Sequence, residues 1–279
     1  MTGGGHRIDA HHHVWDVAAR PHGWLDGPQL AAIRRTFRLD DLAPLADAAG
    51  VTRTVLVQVL PDVDETREFL ELAATSPQVA GVVGWVDLTS AGVADTIAAL
   101  PPGLVGIRHL VQGEPDPAWL SRADVRRGIA AVGAAGLAYD LLTLPHQLPA
   151  AIDTVRALPD VTFVLDHLSK PPIASGKLEP WATRVRELAA EPNVYCKLSG
   201  LVTEADPEKW DVPALRPYAE VALDAFGPAR VMFGSDWPVC LLAASYADWA
   251  EAADALTAQL TDAERDDVFA GTAARAYKL

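Results

Sequence analysis

Residues 161–198 read VTFVLDHLSKPPIASGKLEPWATRVRELAAEPNVYCKL. An aliphatic, β-branched run (161–167) leads into a stretch with helical spacing (178–190), and a second apolar run (194–198) follows. Apolar runs that alternate with helices imply a parallel sheet, and parallel strands, covered on both faces, read as near-continuous apolar segments. The unit recurs in both directions. Further apolar runs occupy 7–13, 53–60, 79–88, 104–110, 137–142 and 230–235, which makes eight. Helical stretches fall between them at 39–49, 64–75, 93–99, 121–135, 148–158 and 213–226, and a last one runs from about 247 to the C-terminus. Eight such units predict a closed (β/α)8 TIM barrel, a single domain over residues 1–279. The competing α/β architecture, an open doubly wound sheet, usually carries a G-x-G-x-x-G or Walker loop after an early strand. The chain has neither.

Composition agrees with one large core. Of the 279 residues, 50% are hydrophobic and 22% charged, the balance of a globular chain. No apolar run reaches the roughly 18 residues of a membrane span. Residues 1–7 lack the apolar stretch of a signal peptide, so a cytoplasmic location is expected. Cys196 and Cys240 form no CxxC pair and are expected to be structural. With 23 basic against 37 acidic residues the net charge is −14. Such a surface repels phosphate backbones and anionic lipid heads, which argues against nucleic-acid and membrane partners. A small-molecule substrate is expected, while oligomeric state is not legible.

A barrel carries its chemistry where strands end and helices begin. At the first strand, Asp9-Ala10-His11-His12-His13 places His11 and His13 on one face and His12 on the other, because side chains alternate along a strand. Two imidazoles so placed can bind one cation or one substrate oxygen. His167 ends the sixth strand, and Asp236 follows the eighth in Gly234-Ser235-Asp236-Trp237-Pro238. In a closed barrel the eighth strand neighbours the first, which brings Asp236 to His11 and His13. A carboxylate beside imidazoles or a cation is held as the anion and can take a proton from water. Arg108 and His109, after the fourth strand, are candidate substrate donors, with Arg108 suited to a forked contact. Lys170 is a further candidate donor, as is Lys197, although either reads equally well as a solvated charge. Trp24 and Tyr139 are candidate walls for a ligand, although core aromatics read the same way. No G-x-S-x-G elbow is present for an acyl-enzyme route. No lysine or glutamate ends the fourth strand and no histidine the fifth, so one cation at most is expected.

These residues, in this order, resemble the amidohydrolase superfamily in its amidohydrolase-2 branch. The segments at 8–16, 84–88, 106–109, 166–171 and 234–238 are similar to the sugar lactonases of that branch, of the L-fuconolactonase and L-rhamnonolactonase type. The resemblance covers nearly the whole chain. It implies a barrel centred on His11, His13, His167 and Asp236, and a metal set drawn from those four side chains. It also implies that metal use varies: some members bind one divalent ion, often Zn2+, and some lactonases work without one. The expected reaction is hydrolysis of an L-fuconolactone-like 1,4-lactone, with Asp236 activating water and the histidines, with or without zinc, polarising the carbonyl. Two alternatives remain at this point, a metal-dependent decarboxylase of an aromatic or related acid and a non-catalytic ligand-binding barrel.

Overall fold

The computed structural model describes residues 6–279; residues 1–5 of the terminus read above for a leader lie outside them. Eight strands pair in chain order: β1 (Arg7–His12), β2 (Val51–Val57), β3 (Val79–Gly84), β4 (Leu104–His109), β5 (Ala138–Leu141), β6 (Thr162–Leu165), β7 (Val194–Leu198) and β8 (Val231–Phe233). Every ladder between neighbours is parallel. β8 returns to β1 through the main chain: His13 N donates to Trp237 O at 2.7 Å, and Asp236 N donates to His11 O at 2.8 Å. The sheet is the barrel that the eight runs predict. Around it lie α1 (Leu39–Ala48), α2 (Val63–Thr75), α3 (Val93–Ala98), α4 (Ala123–Ala134), α5 (Leu148–Ala157), α6 (Trp181–Ala189), α7 (Leu201–Glu204), α8 (Val212–Phe226), α9 (Tyr246–Leu256), α10 (Asp262–Asp266) and α11 (Thr272–Tyr277). The last helical stretch is thus three helices, because Thr261 caps α10 and a π turn (Asp267–Gly271) precedes α11. No described helix is long and apolar enough to cross a membrane.

The apolar residues form two layers. The larger packs the strands' outer faces against the helices. The smaller lies inside the barrel, where Ile8, Ala10, Val55, Val57, Val83, Ala138, Val164 and Met232 meet Ala273, Ala276 and Tyr277 of α11. The C-terminal helix therefore stoppers the lower end. Gly106 makes room for it: a Cβ there would lie 3.4 Å from Tyr277 Cε1. Both cysteines are buried free thiols whose pKa burial pushes up, in keeping with a structural role.

Strand β1 carries a bulge that the alternation argument did not anticipate. Asp9 pairs with Thr54 and His12 with Leu56, so Ala10 and His11 share one position opposite Val55. Ile8 and Ala10 face the barrel interior. Strict alternation would turn His11 outward; the extra residue turns it in. His12 then faces out, its Nε2 2.9 Å from Thr54 Oγ1.

Candidate active site

The four residues singled out at the strand ends converge. His11 Nε2 lies 3.1 Å from His13 Nε2. Asp236 Oδ1 stands 3.7 Å from His11 Nε2, 3.5 Å from His13 Nε2 and 3.8 Å from His167 Nε2. All four side chains are buried. His13 Nδ1 lies 2.8 Å from Val57 O, and His167 Nδ1 lies 2.8 Å from Ser199 Oγ, so each ring keeps Nε2 toward the centre. Burial lowers the pKa of all three imidazoles, that of His167 to about 4. For Asp236, burial pushes the pKa up, but the His167 and His13 imidazoles and the Lys170 charge outweigh it, and the net displacement is downward.

Two of these side chains sit on left-handed backbone. Residues His167, Leu168, Ser169 and Lys170 run at φ of 52°, 52°, 56° and 52°, and Asp236 at 55°. Each such residue costs about 1–2 kcal/mol, a strain of the kind that gathers at functional sites. The turn after β6 is held by Trp181 Nε1 donating to Leu168 O at 2.7 Å and by a 2.8 Å bond between Thr143 Oγ1 and Ser169 Oγ.

Beneath the histidines lies a layer of buried charge of which the sequence reading named Lys197 but neither Asp140 nor Asp166. Lys197 Nζ sits 2.6 Å from Asp140 Oδ2 and 2.9 Å from Asp166 Oδ1, and donates to His11 Nδ1 at 3.1 Å. Lys197 is wholly buried, which corrects its reading as a solvated charge. Burial pushes Asp140 up to about 6, against the pull of Lys197; Asp166 is driven well below the carboxylate range, since Lys197, His11 and Arg108 together overcome its burial. Tyr277 OH donates to Asp140 Oδ2 at 2.7 Å. Their signal in the sequence was phase: Arg108, Asp140, Asp166 and Lys197 each lie two residues after Gly106, Ala138, Val164 or Tyr195 on the inward face.

The substrate-binding candidates divide. Arg108 reaches the centre, but its fork is spent on the protein. Nη1 is 3.1 Å from Asp166 Oδ2 and 3.2 Å from His11 Nε2, while Nη2 donates to Gln58 O and Oε1 at 2.6 and 2.9 Å. His109, one residue on, faces the other way, and this corrects its placement as a site donor: Nε2 bonds Glu114, Trp85 Nε1 donates to Nδ1, and the ring stacks on Trp119 at 4.2 Å. Tyr139 is also corrected. It points into the helix-facing core, fully buried, with its ring against Phe163, because it alternates with the inward Ala138 and Asp140. Trp24 stands exposed on the loop after β1, edge-on to Trp15 at 5.3 Å. Lys170 is half-buried, 3.3 Å from Glu204 Oε1.

Among the described residues, one group could hold a metal ion: His11, His167 and Asp236, whose ligand atoms lie within 4.8 Å of one another. His13, the fourth expected ligand, stands beside this group rather than in it. Two imidazole nitrogens and a carboxylate oxygen suit a single zinc-type ion, with Ser199 orienting His167 as a ligand's second partner.

The chain is 46% identical over 246 residues to an L-fucono-1,5-lactonase from Burkholderia ambifaria, covering 87% of this chain and 84% of the relative. It is 41% identical over 292 residues to an L-fucono-1,5-lactonase from Burkholderia multivorans, covering 98% and 96%. Its fold superposes with a TM-score of 0.95 on a crystal structure of an amidohydrolase from Burkholderia multivorans with bound zinc, 41% identical and covering 98% and 99%. The amidohydrolase family profile matches residues 8–279. With the barrel, the strand-end histidines and the aspartate all in place over that span, the chain belongs to the amidohydrolase family.

Proposed function

We propose that the protein hydrolyses the lactone of a sugar acid, of the L-fuconolactone kind, to the open hydroxy acid. The observation that carries this reading is the convergence of the Asp236 carboxylate on His11, His13 and His167, within 3.8 Å of each, at the ends of the barrel strands. The relatives named L-fucono-1,5-lactonase support it and favour it over decarboxylation.

Asp236 takes a proton from a water molecule, and the water oxygen adds to the lactone carbonyl carbon. An imidazole N–H at the centre holds the developing oxyanion. The tetrahedral intermediate collapses with cleavage of the ring C–O bond, and Asp236 returns its proton to the departing alkoxide. Water is consumed and one carboxylic acid and one hydroxyl appear. His11, His167 and Asp236 are the residues that would hold a divalent ion, which would supply Lewis acidity toward the carbonyl oxygen. Lys170, half-buried after β6, is the candidate of this proposal for the sugar hydroxyls.

The test is a pH-indicator assay against 1,4- and 1,5-aldonolactones, including L-fuconolactone and L-rhamnonolactone, with and without chelator. Acid release on one stereochemical subset is expected, and chelator sensitivity reads the metal dependence. Silence across the panel, with and without added zinc, overturns the reading.

A further inference from the structure

The layer beneath the histidines has work that the proposed reaction does not give it. We propose that Lys197 is a positioning residue: it selects the Nε2–H tautomer of His11, whose proton rests on His13 Nε2 in the free protein and passes to the carbonyl oxygen as a hydrogen bond when substrate binds. The catalytic consequence rests on the lactonase reading, whereas the tautomer does not.

Two ends of one chain of contacts assign the same proton. From below, Lys197 Nζ is 3.1 Å from His11 Nδ1, and an ammonium group has donors only, so Nδ1 must present its lone pair. From above, His13 Nδ1 is 2.8 Å from Val57 O, and a carbonyl only accepts. His13 therefore carries its proton on Nδ1 and presents a lone pair at Nε2. The 3.1 Å approach of His11 Nε2 to His13 Nε2 is a hydrogen bond only if His11 supplies the proton. Lys197, His11, His13 and Val57 then form one directed chain.

The opposite tautomer satisfies less. It sets two lone pairs against each other at 3.1 Å and an imidazole N–H against the ammonium at 3.1 Å. In return it gains a bond from Arg108 Nη1 at 3.2 Å and a 3.4 Å approach of His11 Nδ1 to Asp166 Oδ1. In the Nε2–H state Arg108 Nη1 faces that proton at 3.2 Å, donor against donor, and is satisfied instead by Asp166 Oδ2 at 3.1 Å; the bond from His11 to His13 is what tips the balance.

Lys197 is itself held. Asp140 Oδ2 takes its ammonium at 2.6 Å, Tyr277 OH donates to the same oxygen at 2.7 Å, and Nζ sits 5.3 Å from the centroid of the Tyr277 ring. The proton on His11 is thus fixed through contacts that begin in the C-terminal helix. Ligation of a divalent ion by His11 Nε2 needs the lone pair there, hence the other tautomer, with Nδ1–H turned to Asp166. Lys197 works against that state.

The experiment is nitrogen NMR of the metal-free protein with labelled histidine, paired with zinc titration by calorimetry. Lys197→Met leaves Asp140 and Asp166 without their shared cation, so Lys197→Met/Asp140→Asn, which removes one charge of each sign, is measured beside it. In the wild type the His11 proton is expected on Nε2. In the folded double variant it is expected on Nδ1, with zinc affinity raised at least about ten-fold, the lower end of what a ligating histidine's second partner controls. A wild-type proton on Nδ1 overturns the proposal, and this spectrum decides the tautomer even if neither variant folds. A folded double variant with unchanged tautomer and zinc affinity also overturns it. An Nε2 proton in a protein silent toward every lactone keeps the tautomer selection and removes the lactonase reading alone.

Discussion

At the scale of single residues, Asp236 bears the most chemistry. Asp236→Asn keeps the shape and removes the base, so kcat/KM should fall by about 10²–10⁴ while the melting temperature hardly moves. Substantial remaining turnover of the preferred lactone would sink its role. Gly200 shows how closely the site is built. It stands at φ 69°, and a Cβ there would lie 2.8 Å from His167 Nδ1. Gly200→Ala must strain the backbone by about 1 kcal/mol and displace a ring whose position sets the site. A kcat loss on the order of 10²-fold is expected from displacement of about 1 Å, with a lower melting temperature; unchanged kinetics would show that the ring tolerates the shift. His11, His13, His167 and Asp236 were legible because their types at strand ends are unusual. Asp140 and Asp166 were not assigned and Lys197 was left between donor and solvated charge, since an acid or a lysine in a strand run looks the same whether it points to water or to the barrel axis. Tyr139 and His109 failed for the matching reason, each being one residue out of phase with the inward face.

At the scale of elements, the bulge in β1 and the turn after β6 aim the imidazoles at one centre. The bulge is latched by Asp9, whose Oδ1 accepts from His11 N at 3.1 Å and Ser235 N at 2.8 Å, tying β1 to the end of β8. Neither feature has a sequence signature, since no glycine marks the bulge and residues 167–170 contain none. The start of α2 offers a test away from the site. Glu65 Oε2 accepts from Val59 N and Leu60 N at 2.7 and 2.8 Å, and burial raises its pKa from 4.5 to about 7. A raised folded pKa means that the folded chain binds the proton more tightly than the unfolded one. The stability linked to that proton is fully present below about pH 4.5 and is lost as pH rises through about 7. Glu65→Gln cannot lose it. Relative to wild type, the variant should gain up to roughly 3 kcal/mol between those limits, read from urea unfolding across pH. A difference independent of pH would show that Glu65 is not buried as a proton-bound group.

At the scale of the whole molecule, the barrel is stoppered from below by α11 and carries the histidine cluster at the opposite ends of its strands. Tyr277 joins the two ends, packing among the interior apolar residues and bonding Asp140. Tyr277→Phe keeps the packing and removes one hydrogen bond to a charged group, so a loss of about 1.5–3 kcal/mol is expected in denaturant unfolding. A change within about 0.5 kcal/mol, the range of surface substitutions, would mean that Lys197 alone satisfies Asp140.

The sequence by itself determined the barrel, because eight apolar runs separated by helical stretches leave few ways to bury both faces of every strand. It also determined the four central residues, because histidine and aspartate at strand ends gather wherever a parallel barrel closes. Tertiary structure alone decided which way each intervening side chain points. One bulged residue in β1 turns His11 inward, and the return of the C-terminal helix sets Tyr277 under Asp140 and Lys197. Those contacts join residues up to 186 positions apart, as Lys197 to His11, and local pattern carries no record of such distant neighbours.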